Sequence, residues 1–240
     1  ASAYPTCVAY DPTYAYELAV IIQDGLRRMY GERENVFYYV TTMNENYPHG
    51  AMPKGAEEGI RRGLYPLRKA GGRKKKTRVQ LLGSGTILRE VEAAAELLEQ
   101  DHGVSADVWS ATSFNELRRD GMAADRWNRL HPDAEPRKSW VEQQLAGTDG
   151  PFVAATDYMK AFADQIRAWV PGRYVTLGTD GFGRSDTRPA LRRFFEVDRY
   201  HVAVAALKAL ADEGKVPKGK VKEAIKAYEI DPDRTDPAKA

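Results

Sequence analysis

The stretch Tyr174–Phe195, YVTLGTDGFGRSDTRPALRRFF, decides how the chain is read. Tyr174, Val175, Thr176 and Leu177 form a short apolar run with the composition of a buried β-strand. Gly178 ends it, and the polar loop Thr179-Asp180-Gly181-Phe182-Gly183-Arg184-Ser185-Asp186 follows. Two glycines around an aromatic imply a backbone bent at the carboxyl end of a strand. Ser185, Asp186 and Thr187 can all cap the next segment, and Pro189 suits a first helical turn. The unit is therefore strand, glycine-bent loop, helix. In open α/β sheets such loops are where ligands or partner subunits meet the protein.

Outward from this unit the same grammar repeats. Cys7 to Tyr10 reads as a strand closed by Asp11-Pro12, followed by a helix carrying Leu18, Ile21, Ile22, Leu26 and Met29 at helical spacing up to Gly31. Val36 to Met43 is rich in β-branched and aromatic residues and reads as a second strand, followed by the polar loop Asn44-Glu45-Asn46-Tyr47-Pro48-His49. Ala56 to Leu67 is expected to be a helix. The run Gly71-Gly72-Arg73-Lys74-Lys75-Lys76 is the one clear shift in composition, read as an interdomain linker or, more sharply, as a basic site for an anionic partner. A second α/β unit follows: strand Val79–Leu82, tight turn Gly83-Ser84-Gly85, helix Thr86–Gln100 and strand Asp107–Ala111. A helix interrupted near Gly121 lies within Phe114–Trp127, and a short helix spans Trp140–Leu145. After strand Phe152–Ala155, one helix is expected to align Met159, Phe162, Ile166 and Trp169. Helices from about Asp198 to Glu213 and from Lys220 to Tyr228 close the chain. Strands alternating with helices predict a parallel sheet.

Composition narrows the function classes. The 240 residues are 42% hydrophobic and 29% charged, with a formal net charge of +2. That balance gives no reason to expect a nucleic-acid partner, and no apolar run reaches the length of a membrane span. A lone cysteine, Cys7, excludes an internal disulfide framework and suits a reducing, cytoplasmic setting.

Chemistry is less legible. Gly83-Ser84-Gly85 stands between strand and helix as phosphate loops do, but Leu88 replaces the third glycine of a dinucleotide fingerprint, so a plain turn competes with anion binding. Asp180, Ser185 and Asp186 could serve as acid, base or metal ligand, or could simply cap their loop and the next helix. Asn44, Glu45, Tyr47 and His49 cluster past a strand end, on the ligand side of a sheet or in a polar interface loop. His102, His131 and His201 lack metal-ligand spacing.

The words of the sequence nevertheless resemble a known family. Tyr10-Asp11-Pro12-Thr13-Tyr14-Ala15-Tyr16-Glu17, Phe37-Tyr38-Tyr39-Val40-Thr41, Asn44-Glu45-Asn46-Tyr47 and Ala51-Met52-Pro53 resemble the homodimeric bacterial pyruvate dehydrogenases. So do Gly55-Ala56-Glu57-Glu58-Gly59-Ile60, Leu81-Leu82-Gly83-Ser84-Gly85, Ser113-Phe114-Asn115-Glu116-Leu117, Arg126-Trp127-Asn128 and Leu130-His131-Pro132. The resemblance is strongest over Leu177 to Asp186 and spans the whole chain. It implies an α/β fold: residues 1–72 as the end of a pyrimidine-binding-type parallel-sheet domain, and residues 73–240 as a transketolase C-terminal-type domain with a mostly parallel sheet.

The family uses thiamin diphosphate and Mg2+ to decarboxylate pyruvate, then passes the acetyl group to lipoyl groups of an acyltransferase core. No Gly-Asp-Gly segment followed by paired asparagines occurs here, and the family's activating glutamate and active-site histidines lie earlier in its chain. The resemblance thus implies no catalytic, cofactor-binding or metal-binding residue in this segment, which is expected to be inactive and to bind no cofactor alone. Ala1 is read as a processed or truncated start. Expected partners are a second copy in a homodimer, the lipoyl acyltransferase and pyruvate. Asn44, Glu45, Tyr47, Asp180, Phe182, Gly183, Ser185 and Asp186 are the candidate interface or site-supporting residues. A cleaved or stand-alone, non-catalytic partner-binding module of the same fold is the alternative, and a related ketoacid dehydrogenase or transketolase relative a third reading.

Overall fold

Strand β4 (Arg78–Gly83) shows how the core is built. Its side chains alternate between the two faces of a sheet: Val79 and Leu81 enter one apolar cluster and Leu82 the other. In strand β6 (Phe152–Ala155), Phe152 and Ala154 join the second cluster while Val153 and Ala155 join the first. A strand buried on both faces needs helices on both, and the computed structural model supplies them. It describes residues 2–71 and 77–240. The expected linker therefore lies, apart from Gly71, outside the described residues.

One face is covered by α3 (Leu88–His102), α8 (Arg199–Asp212) and α9 (Lys218–Ala227), through Leu88, Val91, Leu98, Val202, Leu210 and Val221. The other is covered by α4 (Phe114–Leu130), α5 (Trp140–Leu145) and α6 (Lys160–Asp164), through Phe114, Leu117, Trp140, Leu145 and Ala163. Between them lies a five-stranded sheet in the order β3-β5-β4-β6-β7, where β3 is Tyr65–Arg68, β5 is Ser105–Ser110 and β7 is Tyr174–Leu177. Strands β5, β4, β6 and β7 run parallel, and β3 pairs antiparallel with β5. The chain leaves β4 for β5 on one side and returns to β6 on the other, so the strand order reverses at the β4–β6 boundary. There, just past both strand ends, the Ser84 and Thr156 hydroxyls are 3.1 Å apart.

A smaller unit precedes this sheet. Strands β1 (Cys7–Tyr10) and β2 (Phe37–Val40) pair parallel, with Cys7 opposite Phe37 and Tyr10 opposite Val40. Helix α1 (Ala15–Leu26) and helix α2 (Glu57–Arg62) pack on them through Ile21 and Ile60. Among the described residues β2 pairs with β1 alone, and Phe37 and Tyr39 stand 51% and 54% exposed on it.

Three element readings change. The helix expected over Ala56–Leu67 stops at Gly63, which takes φ 102°, a left-handed cap, and the chain then turns into β3. This strand lies upstream of residue 72 yet belongs to the larger sheet. Gly121 does not interrupt α4; the helix runs through it because the Trp169 indole packs where a Cβ would sit, 2.4 Å away. The single helix expected after β6 is α6 and a separate turn at Arg167–Trp169, which leaves Met159 58% exposed.

Glu17 ties the two units together. It is fully buried on α1, and its two carboxyl oxygens accept from Thr13 N (2.5 Å), Tyr14 N (2.9 Å), Tyr65 OH (2.6 Å) and Ser110 Oγ (2.6 Å). The first pair fixes the start of α1, and the second reaches β3 and β5.

Candidate functional site

The carboxyl ends of β4, β6 and β7 open into a cleft of about 700 Å³. Its walls come from four places: residues 42–45 past β2, the turn after β4, the loops after β6 and β7, and α7 (Arg188–Phe194). Each wall follows from local sequence. Gly85, at φ 50°, turns the chain from β4 towards α3, and its N–H donates to the Asp11 carbonyl at 3.1 Å. Gly181, at φ 109°, passes so close to the Pro237 carbonyl that a Cβ would lie 2.5 Å from it. Thr187 stands extended at the N-cap position of α7, and proline sits in its first turn.

Electrostatically the cleft is centred on Glu45. Arg89 donates to its Oε1 at 2.6 Å, and Arg192 and Thr86 donate to its Oε2 at 2.9 and 3.3 Å. Partial burial pushes this carboxyl up, but the hydrogen bonds from Arg192 and Arg89 outweigh it and hold the group below the usual glutamate range. Arg192 is itself pinned, donating also to Thr86 Oγ1 (2.7 Å) and to the buried Glu90 (3.2 Å), which Arg199 engages from the other side (2.9 Å). Arg188 donates to Asn44. Asp157, at the rim past β6, is exposed to solvent yet closely ringed by protein, and this desolvation, with Asp11 nearby, raises its carboxyl.

Of the residues singled out by sequence, Asn44, Glu45 and Gly183 line this cleft together. Tyr47 sits beside it: its ring lies 4.3 Å beneath the Arg89 guanidinium, it stacks on His49, and its hydroxyl donates to the Thr13 carbonyl. Asp180, Phe182, Ser185 and Asp186 turn away. Asp180 accepts from Lys160 N at 3.3 Å, Asp186 accepts from Thr187 N at 2.6 Å, Ser185 is exposed, and Phe182 is 81% exposed. Sequence reasoning missed Thr86, Asp157, Arg188 and Arg192. The arginine run on α7 was the available signal, but arginines are ordinary on a solvated helix face.

The Gly85 N–H that could cradle phosphate is committed to Asp11, and among the described residues no group of three His, Cys, Asp or Glu is placed to hold a metal ion. What the cleft offers is guanidinium and hydroxyl donors above an apolar floor.

Comparison with known proteins gives the lineage. Residues 63–198 match the transketolase-like TK C-terminal domain, and residues 1–50 match the pyruvate dehydrogenase E1 component middle domain. The chain is 60% identical over 238 residues to the pyruvate dehydrogenase E1 component of Pseudomonas aeruginosa, covering 99% of this chain and 27% of that one. It is 59% identical to that of Cupriavidus necator, covering 98% of this chain and 26% of the relative. It thus spans about a quarter of the length of these relatives. Among solved structures, a transketolase from Leishmania mexicana superposes with a TM-score of 0.59 at 15% identity, over 88% of this chain and 26% of that one. At that identity the likeness speaks for the fold, an α/β unit with a mostly parallel sheet. The chain belongs to the transketolase-like TK C-terminal domain family and, over nearly all its length, matches the carboxyl-terminal portion of bacterial pyruvate dehydrogenase E1 components.

Proposed function

We propose that this chain works as the carboxyl-terminal portion of a homodimeric, cytoplasmic pyruvate dehydrogenase. The complete enzyme decarboxylates pyruvate on thiamin diphosphate and Mg2+ and passes the acetyl group to the lipoyl acyltransferase. The observation that carries this reading is 60% identity across 99% of the chain to a protein of that name. The part assigned to these residues is assembly. Glu17, on α1, binds groups from both units, and Glu45, past β2, binds Arg89 and Arg192 of the larger one. That bracing would hold residues 2–62, whose match to the middle domain ends at residue 50, against the sheet that begins with β3. Asn44, Glu45 and Tyr47 would buttress the approach to the cofactor, and the Asp180–Asp186 loop would pack at a domain or dimer junction.

The test has two arms. The 240-residue chain is titrated calorimetrically with thiamin diphosphate and Mg2+, then assayed for pyruvate-dependent dye reduction; neither binding nor turnover is expected. In the second arm it replaces the matching quarter of the Pseudomonas aeruginosa relative. The graft should dimerise and oxidise pyruvate near the parental rate. A folded, dimeric graft without activity would overturn the reading, and saturable cofactor binding by the chain alone would overturn the placement of the cofactor outside it.

A further inference from the structure

We propose that the cleft at the carboxyl ends of β4, β6 and β7 binds a small organic anion with an apolar body. Its size fits: about 700 Å³ lies within the range of small-molecule sites, roughly 300–1,000 Å³. Its position fits as well. Thr86 follows β4, Asp157 follows β6 and Thr179 follows β7, so the cleft lies where the strand order reverses, the crevice in which open α/β sheets bind ligands.

The chemistry of the lining selects the ligand class. Arg184, Arg188 and Arg192 face the cleft, opposed by the carboxyls of Glu45 and Asp157. Arg192 and Glu45 satisfy one another, and three guanidiniums against two carboxyls leave one cationic charge over at the mouth. Arg184 supplies it: among the described residues it makes no ion pair, and it is held 4.1 Å over the Phe194 ring. A guanidinium has five N–H donors in a fixed fork that suits carboxylate or phosphate. Stacking on an aromatic removes some of its rotamer freedom before the ligand arrives. Arg188 reaches the cleft from the next turn, half-exposed, with Asn44 as its close partner and Glu45 Oε2 3.7 Å from its Nε. Beneath these heads Ile87, Leu191 and Phe195 form an apolar floor. A bare inorganic anion would leave that floor wet, and a neutral molecule would leave the forks unused.

The site does not rest on the proposed reaction, because its probes are titrated without cofactor or pyruvate. The intact chain is titrated with phenyl phosphate, benzoate, inorganic phosphate and benzyl alcohol while its amide resonances are followed. Phenyl phosphate or benzoate should saturate at one equivalent, with shifts at Thr86, Thr179 and Leu191; the tighter of the two identifies a phosphate or a carboxylate head. Inorganic phosphate should bind several-fold more weakly, and benzyl alcohol should not saturate. The Arg184→Ala/Arg188→Ala double variant should lose at least about tenfold in affinity, the scale of a lost charge-assisted contact. Lysines at both positions keep the charge but lose the fork, and should recover only part of it. Equal affinity in the alanine variant, shifts confined to other surfaces, or no saturation by either aromatic anion up to about 10 mM would overturn the proposal.

Discussion

Glu17→Ala tests how the two units are held together. Glu17 is completely buried and accepts from four donors. Truncation orphans all of them, but not equally. The Tyr65 and Ser110 hydroxyls can rotate, and Tyr65 OH has the Tyr16 hydroxyl 2.9 Å away as an alternative. The Thr13 and Tyr14 N–H groups are fixed in the backbone just ahead of α1 and cannot turn. Each orphaned buried donor costs about 1–3 kcal/mol, so the two fixed groups together predict a loss of about 2–6 kcal/mol. For a chain of this size about 1 kcal/mol moves the melting temperature by 2–4 °C, giving a fall of roughly 4–24 °C by calorimetry. Glu17→Gln separates the explanations. Its amide oxygen can still take the two backbone donors, while its NH2 can donate to hydroxyls that have turned to accept. It should therefore cost about 1–2 kcal/mol, clearly less than alanine. Hydrogen exchange should then rise first across residues 8–40, because Tyr65 and Ser110 sit in the larger sheet. If alanine and glutamine variants both melt with the wild type, the buried carboxyl is not what joins the units.

Two further outcomes follow from single side chains. Asp198 caps α8 through the His201 N–H at 2.9 Å and also meets the His201 ring and Arg193; burial opposes ionisation, but the His201 hydrogen bonds hold the carboxyl below the usual aspartate range. A carboxyl depressed in the folded state stabilises above its unfolded pKa of about 4 and loses that contribution as pH falls through the lower folded value. Asp198→Ala should thus cost about 1–2 kcal/mol at pH 7, with the gap from wild type narrowing below about pH 4; a gap constant with pH would refute it. Gly121→Ala places a methyl group 2.4 Å from the Trp169 ring, and since that ring is buried, urea unfolding should show a loss of about 1–3 kcal/mol. A neutral result would mean that Trp169 can swing aside.

Much of the fold was legible because its signals are local. Gly178 follows the end of β7, Pro189 sits in the first turn of α7, and the Asp198 side chain caps α8. The Ala56–Leu67 reading failed on the same kind of signal: Gly63 marks the helix end, and Pro66 fits an edge strand beside a register shift. Gly121 failed for the opposite reason. Whether a glycine breaks a helix or admits a neighbour depends on what packs there, and Trp169 lies 48 positions away in the chain. The site shows the same division more sharply. Glu45 could be picked out as a polar residue past a strand end, yet what defines it is Arg89, 44 residues on, and Arg192, 147 residues on. Nothing in the spacing of three residues so far apart says that one carboxyl will answer two guanidiniums. Only the reversal of strand order at β4 and β6 brings the loop past β2, the start of α3 and the face of α7 to one place. The sequence words resembling a family carried the lineage further than any single motif did. They did not carry the cleft, because its charge balance is a property of the assembled sheet end rather than of any stretch that composes it.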